Sequence, residues 1–160
     1  MRVGSGYDVH RFGPGDHVRL GGVSIPHARG LVAYSDGDVL LHALMDAMLG
    51  AAGAGDIGQH FPLGDARFAG ADSRGLLREV VKLVAARGFV VVNCDLTLIA
   101  ETPSLAPHRE AICGNVASDL GLARERVNLK ATTAEGLGSL GRAEGIAAQA
   151  VVLLQEANGG

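Results

Sequence analysis

The chain predicts an α+β fold: a two-layer sandwich of a mixed β-sheet with helices on one face. Three observations carry this. Apolar residues recur at a spacing of two in some stretches and at helical spacing in others. A Gly21-Gly22 pair between two apolar runs signals a tight antiparallel hairpin, whereas the other strands are separated by helix-length crossovers. The last strand, Ile146 to Leu154, is apolar or small on both faces. One face would meet helices and the other another subunit.

Taken in order, Arg2 to His10 is the first strand, running into a loop. Asp8 and His10 sit two apart and so project to one face, with Val9 on the other. Val18-Arg19-Leu20 and Val23-Ser24-Ile25, closed by Pro26, form the hairpin. A helix is expected from about Asp36 to Ala52, with Ser35 and Asp38 as a capping-box-like start. Leu41, Leu44, Met45, Met48 and Ala52 form its buried stripe. Asp38, His42 and Asp46 lie four apart on a polar stripe, where either carboxylate could accept the free N–H of His42.

Glycines at 50, 53 and 55 end this helix, and a long loop carries Asp56-Ile57-Gly58 and Phe61-Pro62. A second helix starts at Asp72-Ser73, buries Leu76, Leu77, Val80, Val81 and Val84, and stops at Gly88. Phe89 to Ala100 is a strand with Cys94, Leu96, Leu98 and Ala100 on one face. Glu101-Thr102-Pro103 breaks it. A third helix spans about Ala106 to Leu120, with Ile112, Val116 and Leu120 inward and Gly121 at its end. Val127, Leu129 and Ala131 alternate along a strand, and a glycine-rich loop leads to the last strand.

At 160 residues, one domain spanning 1–160 is the simplest organisation, and 48% hydrophobic content excludes a disordered chain. Aromatics are 4% with no Trp, so few platforms exist for stacking bases. A net charge of −3 argues against a nucleic-acid partner. No membrane-length apolar run and no signal-peptide pattern occur, so the expected compartment is the cytoplasm. Cys94 and Cys113 have no metal or redox spacing and are expected to be small buried hydrophobes.

Asp8, His10 and His42 stand out chemically. Two imidazoles and a carboxylate suit a divalent metal, most often zinc, and leave a position open for substrate. The plainer alternative is a surface Asp and His beside a helix histidine bonded to a carbonyl. The free N–H groups at the start of the first helix, near Ser35, offer a phosphate a second anchor.

The ordered motifs are more specific than any one of them. Gly6-Tyr7-Asp8-Val9-His10, Gly21-Gly22-Val23-x-Ile25-Pro26, Ser35-Asp36-Gly37-Asp38-x-x-x-His42, Gly55-Asp56-Ile57-Gly58, Gly70-Ala71-Asp72-Ser73-Arg74, Lys130-Ala131-Thr132-Thr133 and Gly141-Arg142-x-Glu144-Gly145 occur in register along nearly the whole chain. In this the chain resembles the 2-C-methyl-D-erythritol 2,4-cyclodiphosphate synthase family of the non-mevalonate isoprenoid pathway. The resemblance implies a phosphorus–oxygen lyase and a homotrimer whose sheets face each other, with active sites between subunits. It implies zinc on Asp8, His10 and His42, and magnesium or manganese bridging the substrate diphosphate through Glu135.

The implied substrate is 4-diphosphocytidyl-2-C-methyl-D-erythritol 2-phosphate, cyclised with loss of CMP. Thr133 and Tyr34 match transition-state positions. Asp8, Val9, His10, Ser35, Asp56, Ile57, Gly58, Phe61 and Asp65 match contacts around the phosphates and the sugar. Ala100, Pro103, Leu105, Ala106, Ala131 and Thr132 match the cytidine pocket. Ser139 and Arg142 match further substrate-binding positions, although Arg142 with Glu144 would equally serve as a structural pair.

Some positions depart from the family pattern. Tyr34 stands where the family has His, Leu63-Gly64 where Asp-Thr is usual, Ser104 where Lys is common, Ala134 and Gly136 around Glu135, and Ser139 where an aromatic is expected. An active enzyme is expected. The alternatives are a metal-containing trimer that binds a nucleotide or isoprenoid diphosphate with little turnover, and a zinc hydrolase with Asp56 as general base.

Overall fold

A computed structural model of the chain describes residues 1–157. The elements are β1 (Arg2–Gly13), β2 (His17–Leu20), β3 (Val23–Pro26), β4 (Gly30–Leu31), α1 (Val39–Ala51), α2 (Ile57–His60), α3 (Ser73–Ala86), β5 (Phe89–Ile99), α4 (Arg109–Leu120), β6 (Val127–Thr132), α5 (Gly138–Gly141) and β7 (Gly145–Glu156). Five strands form one sheet in the order β4-β1-β7-β5-β6, and β2 with β3 forms a separate hairpin. β7 is antiparallel to both β1 and β5, while β5 and β6 run parallel and are joined through α4. The mixed sheet and the α+β class are as the sequence predicts.

The alternation along the strands decides which face is dry. Ile146, Ala148, Ala150, Val152 and Leu154 of β7 are fully buried, as are Leu96 and Leu129 on the neighbouring strands to within a percent. They meet α1, which packs across β1, β7 and β5. The opposite face is open: Val3, Tyr7, Val9 and Val151 are all more than 40% exposed.

α1 departs from the expected amphipathic helix. Leu40, Ala43, Ala47 and Leu49 are as buried as the expected stripe of Leu41, Leu44, Met45 and Met48. A helix apolar all round is a central one, and α1 lies between the sheet on one side and α3 on another. It also starts later than expected. Asp38, not Ser35, is the N-cap, and its carboxylate accepts from Leu41 N.

α1 approaches β1 closely because β1 has no side chains there. A Cβ on Gly6 would lie 1.9 Å from the Ala43 carbonyl oxygen, and one on Gly4 2.0 Å from that of Ala47. Gly4, Gly6, Asp8 and His10 share one face of β1. The two glycines bring α1 against the strand, and Asp8 and His10 meet α1 one and two pleats further on. His42 sits where the helix begins.

The hairpin forms as predicted, with Gly21 and Gly22 at φ +56° and +76° in its turn. Asp38 reaches into this turn and accepts from both Gly21 N and Gly22 N, at 2.9 and 2.7 Å. Three elements fell outside the sequence prediction: the two-residue β4, and the one-turn helices α2 and α5 inside stretches read as loops. None of them is long enough to show a periodicity.

Candidate metal centre and active site

β1 and α1 bring Asp8, His10 and His42 together. Asp8 Oδ2 lies 3.0 Å from His10 Nε2 and 3.0 Å from His42 Nδ1, and the two nitrogens are 3.2 Å apart. Among the described residues this is the one cluster of three or more His, Cys, Asp or Glu able to hold a metal. In a tetrahedral zinc site with ligands at about 2.0–2.2 Å, neighbouring donor atoms stand about 3.3–3.6 Å apart. The triangle here needs to open by only a few tenths of an ångström. Two imidazole nitrogens and a carboxylate oxygen converging on one point is the donor set of a divalent transition metal.

The electrostatics agree. Burial alone would raise the Asp8 carboxyl, but hydrogen bonds and positive charge from His10 and His42 hold it down at about 2. Burial alone would lower His42. The hydrogen bond and charge of Asp8, with Asp38 and Asp36 behind it, outweigh that and raise it. Each group favours a positive charge at the centre of the triangle.

The polar stripe of α1 behaves differently from expectation. Neither the Asp38 nor the Asp46 carboxylate accepts a hydrogen bond from the His42 ring. Asp38 is fully buried and occupied by the hairpin turn, and burial pushes it up to about 6. Asp46 accepts from Ile57 N at 2.8 Å, tying α2 to α1. The partners of His42 Nε2 are two hydroxyls, Ser73 Oγ at 3.0 Å and Ser35 Oγ at 3.1 Å. Spacing within one helix could not show this, because Ser73 comes from α3. At the start of α1 the Asp38 carboxylate takes the Leu41 N–H, so that one of the expected free N–H groups is occupied.

A cavity of about 250 Å³ opens beside the triangle. Of the expected site residues, Asp8, His10, Tyr34, Ser35, His42, Ile57, Gly58 and Phe61 line it. Ala33, Met45, Leu63, Phe68 and Leu76 also line it and were not anticipated. Met45 and Leu76 read in sequence as helix core, and Leu63 as a loop residue. Asp56 caps α2 by accepting from Gln59 N, and Asp65 pairs with Arg67. Tyr34 OH donates to the Asp65 carbonyl at 3.0 Å, pinning the 61–69 loop over the cavity. Val9 is on the opposite, open face of the sheet.

The other expected residues lie elsewhere. Ala131 and Thr132 end β6, and Thr133 and Glu135 follow it; β6 is three strands from β1. At a strand spacing of about 4.8 Å that is about 14 Å across the sheet. Thr133 Oγ1 donates to Glu135 at 3.2 Å, and both are exposed. Ala100 is held to the same strand end by its N–H to Thr132 O, while Pro103, Leu105 and Ala106 follow in the loop before α4. Ser139 and Arg142 lie in and after α5, where Arg142 pairs with Glu144 at 2.8 Å. The residues around the triangle and those around Thr133 therefore form two groups three strands apart, while Glu144, beside Arg142, is bonded through its carbonyl to Phe12 N of β1.

Residues 1–155 match the family model described as the YgbB family. The chain belongs to that family. It is 64% identical over 154 residues to the 2-C-methyl-D-erythritol 2,4-cyclodiphosphate synthase of Pseudomonas paraeruginosa, covering 96% of this chain and 98% of that one. The synthase of Stutzerimonas stutzeri is 61% identical over the same span. Among solved structures, the bifunctional IspDF of Campylobacter jejuni matches with a TM-score of 0.93 at 44% identity, over 97% of this chain and 42% of that longer one. A 2C-methyl-D-erythritol-2,4-cyclodiphosphate synthase in its CDP-bound form matches with a TM-score of 0.88 at 42% identity, over 96% of this chain and all of that one. The family named from the motifs is thus the family found. No helix among the described residues is long and apolar enough to cross a membrane.

Proposed function

We propose that this chain converts 4-diphosphocytidyl-2-C-methyl-D-erythritol 2-phosphate to 2-C-methyl-D-erythritol 2,4-cyclodiphosphate and CMP, as a phosphorus–oxygen lyase. The observation that carries the reading is the Asp8–His10–His42 triangle at the mouth of a 250 Å³ cavity, in a chain 64% identical to a named synthase. An oxygen of the 2-phosphate attacks the β-phosphorus. The bond from that phosphorus to the oxygen bridging it to the α-phosphorus breaks, and CMP leaves with the electron pair. No water is consumed.

The chemistry joins two anions, so positioning and charge compensation dominate. Zinc held by Asp8, His10 and His42 would polarise and orient a phosphate oxygen, and magnesium or manganese held with Glu135 would offset the charge of the diphosphate. The apolar walls, Ile57, Phe61, Phe68 and Leu76, enclose the methylerythritol carbon chain and exclude water from the attacked phosphorus. Tyr34 holds the loop that forms one wall. Thr133 donates a hydrogen bond to the phosphoryl oxygens as charge redistributes. Ala100, Pro103, Leu105, Ala106, Ala131 and Thr132 receive the cytidine.

A complete site in this reading needs two copies. The two groups of residues lie about 14 Å apart across one sheet, too far to grip one phosphate. The open face carrying Val3, Tyr7, Val9 and Val151 offers the surface on which copies associate. A homotrimer with heterologous contacts closes a ring and joins the metal half of one subunit to the Thr133 half of the next.

CMP release from the substrate, measured with magnesium before and after zinc is stripped and restored, tests the reading. A cyclic diphosphate that disappears without zinc supports it. A folded, zinc-loaded protein without turnover would favour a binding role, and linear phosphate products would favour a hydrolase.

A further inference from the structure

Two motifs that the reaction above leaves unused, Ser35-Asp36-Gly37-Asp38 and Gly70-Ala71-Asp72-Ser73-Arg74, meet behind His42. Ser73, the first residue of α3, is fully buried. Its N–H donates to Asp36 Oδ2 at 2.9 Å, and its hydroxyl donates to Asp36 Oδ1 at 2.5 Å. The same hydroxyl oxygen stands 3.0 Å from His42 Nε2. Arg19, from β2, lies 3.7 Å from the Asp36 carboxylate and 3.6 Å from that of Asp72, so a positive charge backs the pair.

The directions of these bonds are constrained. A carboxylate only accepts, and a serine hydroxyl has one proton. With that proton given to Asp36, Ser73 Oγ can only accept from Nε2, which must therefore carry a proton. On the other side Nδ1 stands 3.0 Å from Asp8 Oδ2 and, with no cation bound, donates to that carboxylate, so the Nδ1 proton is the one a cation displaces. Ser35 Oγ, 3.1 Å from the same nitrogen, has no anion fixing its proton and follows the state of Nε2. The geometry points to Asp36 and Ser73 as positioning residues that lock His42 as its Nε2–H tautomer and so present the Nδ1 lone pair to a divalent cation. This rests on the metal-centre reading. The carboxylate acts through a hydroxyl, and both groups come from outside the helix that carries the ligand. A histidine free to give up its Nε2 proton would keep its one remaining proton on Nδ1, where the cation must bind.

The competing explanation is structural: the pair fixes the start of α3 and does nothing for the metal. Asp72 separates the two. It caps α3 by accepting from Gly75 N and does not touch His42. The experiment uses the full chain with ¹⁵N-labelled histidine in mildly alkaline buffer. Ring ¹H–¹⁵N correlations of the zinc-free protein read the His42 tautomer, and competition against a chelator reads zinc affinity.

Wild type is expected to show an Nε2–H, with Nδ1 facing Asp8. Asp36→Asn can turn its amide N–H toward Ser73 Oγ, and that hydroxyl then donates to Nε2. The Nε2–H is lost, the one remaining ring proton sits on Nδ1, and zinc affinity falls by about 10–100-fold. Ser73→Ala costs a similar factor, Ser73→Thr recovers most of it, and the Asp36→Asn/Ser73→Ala double variant is no worse than the weaker single. Asp72→Ala leaves zinc affinity within about twofold while lowering the melting temperature, as loss of a cap does. Asp36→Asn with an unchanged Nε2–H and unchanged affinity overturns the inference. So does Asp72→Ala that loses as much zinc as Asp36→Asn. Should Asp36→Asn not fold, the Ser73 pair of variants decides. A wild type that binds no zinc overturns the metal-centre reading instead, and the tautomer alone then decides whether the Asp36–Ser73 lock exists.

Discussion

The two edges of the sheet are built on opposite principles. At the β1 edge, Asp8, His10 and His42 lie under a central helix, drawn together by Gly4 and Gly6 and held from behind by Ser73 and Asp36. At the β6 edge, Thr132, Thr133 and Glu135 are exposed, and the backbone of the turn that follows leans on one carboxylate, Glu101, which accepts from Ala134 N at 2.9 Å. The first half is pre-organised within one chain. The second is an open surface, which in the proposed function gains its shape against a neighbouring copy. A metal centre needs fixed donors, whereas the proposed nucleotide pocket needs access.

The largest expected effect breaks the first half at its foundation. Gly6→Ala places a Cβ 1.9 Å from the Ala43 carbonyl oxygen, and both partners are backbone, so strand and helix must separate. Overpacking of this kind costs about 3 kcal/mol or more. Urea unfolding should show that loss, and zinc affinity should fall with it because α1 carries His42. A Gly136→Ala control, at the other edge, has open space for its Cβ and pays only for its positive φ of +73°. It should cost about 1 kcal/mol and leave zinc affinity alone.

The next effect tests whether the halves meet between subunits. His42→Ala removes a metal ligand and should abolish zinc-dependent turnover. Thr133→Ala should lower kcat by about 10²–10³-fold, as loss of one transition-state donor does, with zinc affinity unchanged. Mixed and reassembled, the two inactive chains should recover about a quarter of wild-type activity, because each site then draws an intact half from each neighbour one time in four. Mixtures as inactive as their components would sink the shared-site arrangement.

How much of this was legible in the sequence follows the same division. Asp8, His10 and His42 could be read because strand spacing and a strong helix pattern fixed their local geometry. The hairpin was legible from Gly21-Gly22, and the buried faces of β5 and β7 from their alternation. The role of Asp38 was not: its sequence neighbour is His42, but its partners are Gly21 N and Gly22 N, seventeen and sixteen residues away. Ser73 was read as a helix start and is also a partner of His42, thirty-one residues distant. Cavity walls such as Met45, Leu63 and Leu76 carry no pattern that separates them from core or loop. Apart from the short β4, α2 and α5, what was missed lies in contacts between elements, not in propensities within them.

A smaller effect concerns acid. In the zinc-free protein Asp8 titrates at about 2, below its ordinary 3.8. A carboxyl lowered by folding stabilises the fold above pH 3.8, and that contribution is lost as pH falls through about 2. Its size is about 2 kcal/mol. Acid unfolding of the zinc-free wild type should therefore be steeper between these values than that of Asp8→Asn. Equal pH profiles would mean that Asp8 is not held by the two histidines.

Tyr34 gives the smallest effect and the finest comparison, since it joins the buried site to the loop that covers it. Its hydroxyl donates to the Asp65 carbonyl, and its own carbonyl accepts from Gly70 N at 2.9 Å. Both ends of the 65–70 segment are thus tied to one residue, beside the metal triangle. Tyr34→Phe keeps the ring and the backbone bond and removes only the hydroxyl. One hydrogen bond of this kind is worth about 1 kcal/mol, so KM should rise about fivefold with little change in kcat if the hydroxyl only anchors the loop. A fall in kcat at constant KM would instead place the phenol against the transferring phosphate. Tyr34→His sharpens the choice. It restores a group able to carry charge near neutral pH but shortens the reach to Asp65, so a loop anchor predicts a higher KM and a phosphate contact predicts a higher kcat.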